Sequence, residues 1–261
     1  MPRHILNLYG KERGAAGVRQ YGLRGVGLGL LSLCVALALG PGVPEEIQMA
    51  GGGAQVEIET GPDKLVALTF DDGPRLSTTR RLLEGLELRE ANATFFLVGE
   101  RIEGCEDLIG EMAEAGHQVG VHTFDHVMVT DLSREDFDLQ VGKTRALLTD
   151  ILGEGEFWLR PPYGIVDESV ECWADGPLIL WSVDPEDWKD HNAARIAAAV
   201  TEQVKDGDII LLHDIYHSSV DAAVQIVDEL LRRGFCFVTV EDLLAWKGIS
   251  PESGAVYRSG R

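Results

Sequence analysis

The chain has 261 residues and carries 23 basic against 43 acidic side chains, a formal charge of −20 that argues against a partner gripped through a phosphate backbone. With 45% hydrophobic and 25% charged residues it is too apolar for a disordered acidic tail and long enough for one or two folded domains. Four cysteines without a C-x-x-C pair suggest neither a thiolate zinc site nor a disulfide framework, so a bound metal would need other ligands.

The charge is unevenly spread along the chain. Residues 1–44 hold five basic side chains against Glu12, a net of +4, which leaves 18 basic and 42 acidic side chains, −24, for the remainder. An uncharged stretch follows Arg24, with an apolar heart from Val26 to Leu39, and a basic segment ahead of an apolar run is the layout of an export signal. The shortness of the apolar heart favours a cleaved signal, and the long basic region before it favours an uncleaved membrane anchor. Either way the expectation is an exported protein, secreted or held at the membrane by residues 1–44. Cys34, preceded by Leu33, is read as a packed hydrophobe. Residues 45–62 contain Gly51-Gly52-Gly53 and Pro62 without periodicity and read as a linker. The folded domain is expected over 63–247, with a C-terminal tail at 248–261.

Within that domain, apolar runs alternate with amphipathic stretches. Strands are expected at Leu65 to Phe70, Ala93 to Val98, Val119 to Val121, Leu178 to Val183, Ile209 to Leu212 and Phe235 to Val240, with a short apolar segment at Phe157 to Leu159. Helices are expected at about Ser77 to Glu90, Ile102 to Ala115, a longer one after Asp131, Ala193 to Val204 and Val220 to Arg233. Asp131, Ser133 and Asn192 stand where N-caps belong, and Gly116 and Gly234 stand just past helix ends. This alternation implies parallel βαβ units, hence an α/β barrel or a doubly wound sheet.

Chemistry in parallel α/β folds collects at the carboxyl ends of strands, and those positions are unusually polar here. They hold Thr69-Phe70-Asp71-Asp72-Gly73-Pro74, His122-Thr123-Phe124-Asp125-His126, Arg160-Pro161-Pro162-Tyr163-Gly164, Asp184-Pro185-Glu186-Asp187-Trp188 and His213-Asp214. A separation of four places His122 and His126 on one side of a helical turn, close enough to share a cation. Asp72 from another strand end would complete a two-histidine, one-carboxylate site open to water and substrate, suited to zinc or a similar divalent ion. Its neighbour Asp71, pointed differently, would accept a proton from the attacking water. Solvated acids in a strand-to-helix turn, and two surface histidines, are the plainer readings of the same residues.

Taken together, TFDDGP at 69–74, HTFDH at 122–126, RPPYG at 160–164, DPEDW at 184–188 and LLHD at 211–214 resemble the polysaccharide deacetylase family, the NodB homology domain, over roughly Lys64 to Trp246. The resemblance implies a distorted (β/α) barrel of about seven parallel strands in a single catalytic domain. It implies metal ligation by Asp72, His122 and His126, with Zn2+ the expected ion and Co2+, Mn2+ or Ni2+ as alternatives. It makes Asp71 the general base, His213 the general acid, Arg160 the partner of the base, and Asp187 the support of Arg160 and His213. The backbone N–H of Tyr163 would join in stabilising the oxyanion, and Trp188 and Leu211 would line the acetyl pocket. His117 is read as structural, Asp214 as an anchor of its strand end, and Cys105, Cys172 and Cys236 as buried free thiols. Val121 and Val127 depart from the asparagine and proline often found there, without removing a ligand. The substrate class implied is an N-acetylated glycan, foremost the N-acetylglucosamine of peptidoglycan, with chitin oligomers and acetylxylan as alternatives and an inactive wall-binding domain as the reading of another class. Neither nucleic acid nor a second copy of the chain is expected as a partner.

Overall fold

The computed structural model describes residues 64–261. The expected leader or anchor at 1–44 and the linker at 45–62 lie outside the described residues. Strand β1 (Lys64–Asp71) is buried along all but its first residue, as a central parallel strand covered on both faces must be. It pairs in parallel with β2 (Thr94–Leu97) near its carboxyl end, with β6 (Phe235–Val238) near its amino end, and with β5 (Ile209–His213). β3 (Gln118–Val121) extends the sheet beyond β2.

Single bridging residues close the ring. Leu159 bridges Val121 on one side and Leu178 of β4 (Leu178–Ile179) on the other, and Val183 at the end of that segment meets Ile210 of β5. The result is a distorted parallel barrel. The strand expected over Leu178 to Val183 is regular for only two residues because the carbonyls of Ile179 and Leu180 accept from the Arg160 guanidinium instead of a neighbouring ladder.

Helices α1 (Leu76–Glu87), α2 (Glu106–Glu114), α3 (Arg134–Leu152), α5 (Ala193–Gln203) and α6 (His217–Arg232) follow the expected pattern, while α4 (Glu168–Trp173) and α7 (Val240–Trp246) were too short to show a period. α2 begins four residues later than expected because Gly99–Arg101 form a 3-10 turn and Gly104 takes a positive φ. Ser133 and Asn192 cap their helices, accepting from the backbone N–H of Asp136 and Arg195. Asp131 does not cap; it closes a 3-10 turn just before Ser133. Gly116 and Gly234 end helices at φ 89° and 80°, where a side chain would be strained.

Alternation along β1 separates two cores. Val66, Leu68 and Phe70 face the helices and join their apolar stripes. Leu65 and Ala67 face the barrel interior, where Phe96, Trp158, Ile179 and Ile209 pack with Val240, Leu243 and Leu244 of α7. Thr69 and Asp71 continue that inner face, so the apolar interior ends in a polar layer at the carboxyl ends of the strands.

The segment expected as a tail, 248–261, is part of the fold. β7 (Val256–Tyr257) pairs in parallel with β4, and Ser259 bridges Asp208. A two-residue strand carries no periodicity, which is why it escaped the sequence reading. The three thiols in the described residues are unpaired, but only Cys105 is buried; Cys172 is exposed and Cys236 half-buried.

Candidate active site

The polar layer is built on one buried guanidinium. Arg160 is fully buried, stacks 4.1 Å from the Phe96 ring, and gives Nε and Nη2 to the carbonyls of Ile179 and Leu180, each at 3.0 Å. Nη1 donates to Thr69 Oγ at 2.7 Å and to Asp71 Oδ1 at 2.8 Å. This buried ion pair orients the Asp71 carboxylate. The other Asp71 oxygen, Oδ2, lies 3.6 Å from His122 Nε2.

Asp72, His122 and His126 converge as the sequence implied, with ligand atoms all within 4.8 Å of one another. His122 Nδ1–H donates to the Arg160 carbonyl at 2.7 Å, which fixes the tautomer and leaves the Nε2 lone pair directed at the site. Burial lowers the His122 pKa despite the nearby aspartates, keeping the ring in its neutral, metal-ready form. Burial alone would raise the Asp72 pKa, yet His126 Nε2 at 3.2 Å, with His122 and His213 around it, brings it down to about 2. Despite that approach, Asp72 Oδ1 is buried without a well-aligned hydrogen bond among the described residues. An ionised, desolvated oxygen facing two imidazole nitrogens is a donor set that fits a divalent cation.

The route by which the histidines meet differs from expectation. Residues 122–126 form a bend, not a helical turn, with His122 just past β3 and both Thr123 (φ 60°) and His126 (φ 61°) in the left-handed region. Asp72 (φ 71°) and Tyr163 (φ 63°) share that conformation. Non-glycine residues there cost roughly 1 kcal/mol or more each, and clusters of them mark sites where the backbone is held by its surroundings.

Across the site, His213 ends β5 in register with Asp71. Asp187 takes both its Nδ1–H, at 2.7 Å, and its backbone N–H, at 2.8 Å. Burial opposes a charge on His213, but the hydrogen bond and charge of Asp187, reinforced by Asp71 and Asp72, raise its pKa to about 9. Asp187 supports His213 and, among the described residues, forms no bond to Arg160. Leu211, in register with Thr69, is buried on the inner face below His213. Tyr163 and Trp188 are exposed at the rim, Tyr163 edge-on to His126 with ring centroids 4.9 Å apart and Trp188 capped by Lys189.

Two contributors were not singled out from sequence. Thr69 bridges Arg160 Nη1 and the Ile210 carbonyl, although it opens the first motif. Arg101 donates to the Asp72 carbonyl at 2.6 Å from a 3-10 turn that no periodicity signals. His117 is structural as expected: it is buried, its Nδ1 accepts the Ala93 N–H at 3.1 Å, and burial lowers its pKa to about 4.

Residues 58–174 match the polysaccharide deacetylase family. The chain is 39% identical over 180 residues to the peptidoglycan-N-acetylmuramic acid deacetylase PdaC of Bacillus subtilis, covering 69% of this chain and 38% of that protein. It is 37% identical over 185 residues to the peptidoglycan-N-acetylglucosamine deacetylase PgdA of Listeria monocytogenes, covering 71% and 40%. The chain thus spans about two fifths of the length of these curated relatives. The solved structure of PdaC superposes with a TM-score of 0.69 over 71% of this chain and 92% of that one. A family 4 acetyl xylan esterase from Clostridium thermocellum, in complex with cobalt, superposes at 0.72 with 32% identity over 75% and 98%. On the strength of these matches, the chain belongs to the polysaccharide deacetylase family.

Proposed function

We propose that this protein is a metal-dependent hydrolase that removes N-acetyl groups from N-acetylglucosamine residues of peptidoglycan. The observation that carries the reading is the pairing of two proton-transfer groups on neighbouring strands, Asp71 held by Arg160 and His213 held by Asp187, beside the Asp72, His122 and His126 cluster. A pure binding domain has no use for such a pair, which counts against an inactive wall-binding role.

Asp72, His122 and His126 would hold the ion, most simply Zn2+, which lowers the pKa of bound water to about 7 and polarises the acetyl carbonyl. Asp71 takes one proton from the attacking water as its oxygen bonds to the amide carbon. His213, kept protonated by Asp187, gives its Nε2 proton to the amide nitrogen, so that the C–N bond breaks with acetate and a free amine as products. The Tyr163 N–H would stabilise the oxyanion between these steps. Leu211 would bound the acetyl methyl, and Trp188 would stack on a sugar face. The basic-then-apolar start of the chain and the cell-wall substrates named for its relatives support action outside the cytoplasm.

The likeness to PdaC favours a second reading, the N-acetylmuramic acid of the same polymer. Acetate release from peptidoglycan, with chelator and with zinc restored, tests the reaction; identifying the amino sugar formed separates the two readings. The same panel with chitin oligomers and acetylxylan tests the polymer. No acetate from any of them with any divalent ion would overturn the proposal.

A further inference from the structure

We propose that Asp214 is a positioning residue, a buried clamp that ties the turn carrying Asp72 to the loop carrying His213 and so fixes the metal-binding carboxylate against the proton donor. The inference rests on the metal and acid assignments of the proposed function.

Asp72 occupies the left-handed region at φ 71°, a conformation that persists only where neighbours over-determine it. On its outer side the turn is held by Arg101, which donates to the Asp72 carbonyl, and by the Val98 N–H, which donates to the Gly73 carbonyl at 2.9 Å. Among the described residues neither of these bonds reaches β5, whose ladder with β1 ends at Asp71 and His213. The connection comes from underneath. Asp214, the residue after His213, is fully buried, and its Oδ2 accepts from Thr79 Oγ. Thr79 Oγ in turn accepts the Arg75 N–H at 2.9 Å, and Arg75 Nη1 reaches back to the Ile215 carbonyl at 2.8 Å. Residues 73–75 and 214–215 are therefore joined by two arms, one buried and one exposed.

Gly73 completes the fit. A Cβ placed there would stand 2.4 and 2.5 Å from the two Asp214 carboxylate oxygens, so the bare Cα lies directly on the carboxylate. The glycine of TFDDGP is required by this close approach, since its φ is not in the left-handed region. Among the described residues, Asp214 Oδ1 has no hydrogen-bond partner. A fully buried carboxyl with one oxygen unsatisfied is a costly way to fill space, and an apolar side chain would pack the same volume without linking the two loops.

The test uses the intact chain, with zinc affinity measured by competition against a chromogenic chelator, thermal midpoint without metal, and kcat and KM for acetate release. Asp214→Ala should weaken zinc binding and lower kcat by about 10–100-fold, the range for residues that orient ligands, with KM little changed. Asp214→Asn keeps an oxygen facing Thr79 and should restore both to within about threefold. Thr79→Val cuts the buried arm while leaving the carboxyl and should show the same defect as Asp214→Ala, which keeps the question answerable if the latter fails to fold. Gly73→Ala should be defective alone but add nothing in the Asp214→Ala background, because the clash is with the group removed. Unchanged zinc affinity and kcat in Asp214→Ala would overturn the clamp, as would a loss that Asn does not rescue and that follows the thermal midpoint alone. A wild-type chain that binds no zinc would instead overturn the metal assignment on which the clamp depends.

Discussion

Asp71 and Asp72 are adjacent, equally acidic and given different tasks by one backbone torsion. Asp71 is the last residue of β1, with its side chain on the inner face against Arg160, while Asp72 turns into the left-handed region and swings its carboxylate toward the histidines. Asp71→Asn should therefore lower kcat by at least about 10²-fold, the lower end for a positioned acid–base group, while zinc affinity stays near wild type. Near-normal turnover in that variant would mean the base lies elsewhere. On the other side of the site, the sign follows from the charge of Asp187. His213 is raised to about 9, so its acid form should persist above neutral pH, and the fall in rate that its deprotonation causes should come on the basic side. Asp187→Asn retains an acceptor for Nδ1–H but removes the charge, and the basic limb of the kcat profile should move toward the ordinary histidine value near 6.5. A basic limb that stays in place would show that Asp187 does not set the His213 proton.

Elements were legible in the sequence where they were long enough to show a period and where their ends carried caps. β1, β5 and α3 follow that rule, and the site residues followed because they sit at the strand ends such a pattern marks. What escaped was structure made by single contacts. Leu159 closes the barrel with two single-residue bridges and Val183 with one, and residues 122–126 bring two histidines together through two left-handed residues, not through a helical repeat. β7 escaped for the same reason, and its contribution can be measured. Beside β4, Val256 is half-buried against the helix-facing core and Tyr257 against the inner core, and Arg261 pairs with the buried Asp208. Removing residues 249–261 should cost on the order of 2–4 kcal/mol from partial burial of Ile249, Val256 and Tyr257, read as a lower denaturation midpoint. An unchanged midpoint would mean the segment only rests on the barrel. His117 gives a second measure, because it joins the end of α2 to the start of β2 as a neutral acceptor. Its folded pKa of about 4 lies below the ordinary 6.5, so its contribution is fully present above pH 6.5 and lost as pH falls toward 4. The loss amounts to roughly 3 kcal/mol by linkage, and a His117→Gln variant should show correspondingly less destabilisation between pH 7 and pH 4 than the wild type.

For the whole molecule the relevant quantity is the −24 carried by residues 45–261. Among the described residues, surface ion pairs such as Arg89–Asp228 and Arg145–Asp175 contribute little individually, while the surplus of acids gives the chain a net negative field. A neutral acetamido glycan bound through hydroxyls, stacking on Trp188 and the metal has no charge for that field to act on. An anionic wall polymer has, and should be repelled until salt screens the repulsion. Raising salt from about 20 to about 300 mM shortens the Debye length from roughly 20 to roughly 6 Å, so KM for a neutral chitin oligomer should change less than about twofold while KM for intact, anionic cell wall falls. The same screening relieves self-repulsion, and the thermal midpoint should rise with salt over that range. If KM for the neutral oligomer instead climbed steeply with salt, binding would depend on attraction between charges, and the cleft would have to contain a cationic patch that outweighs the acidity of the chain.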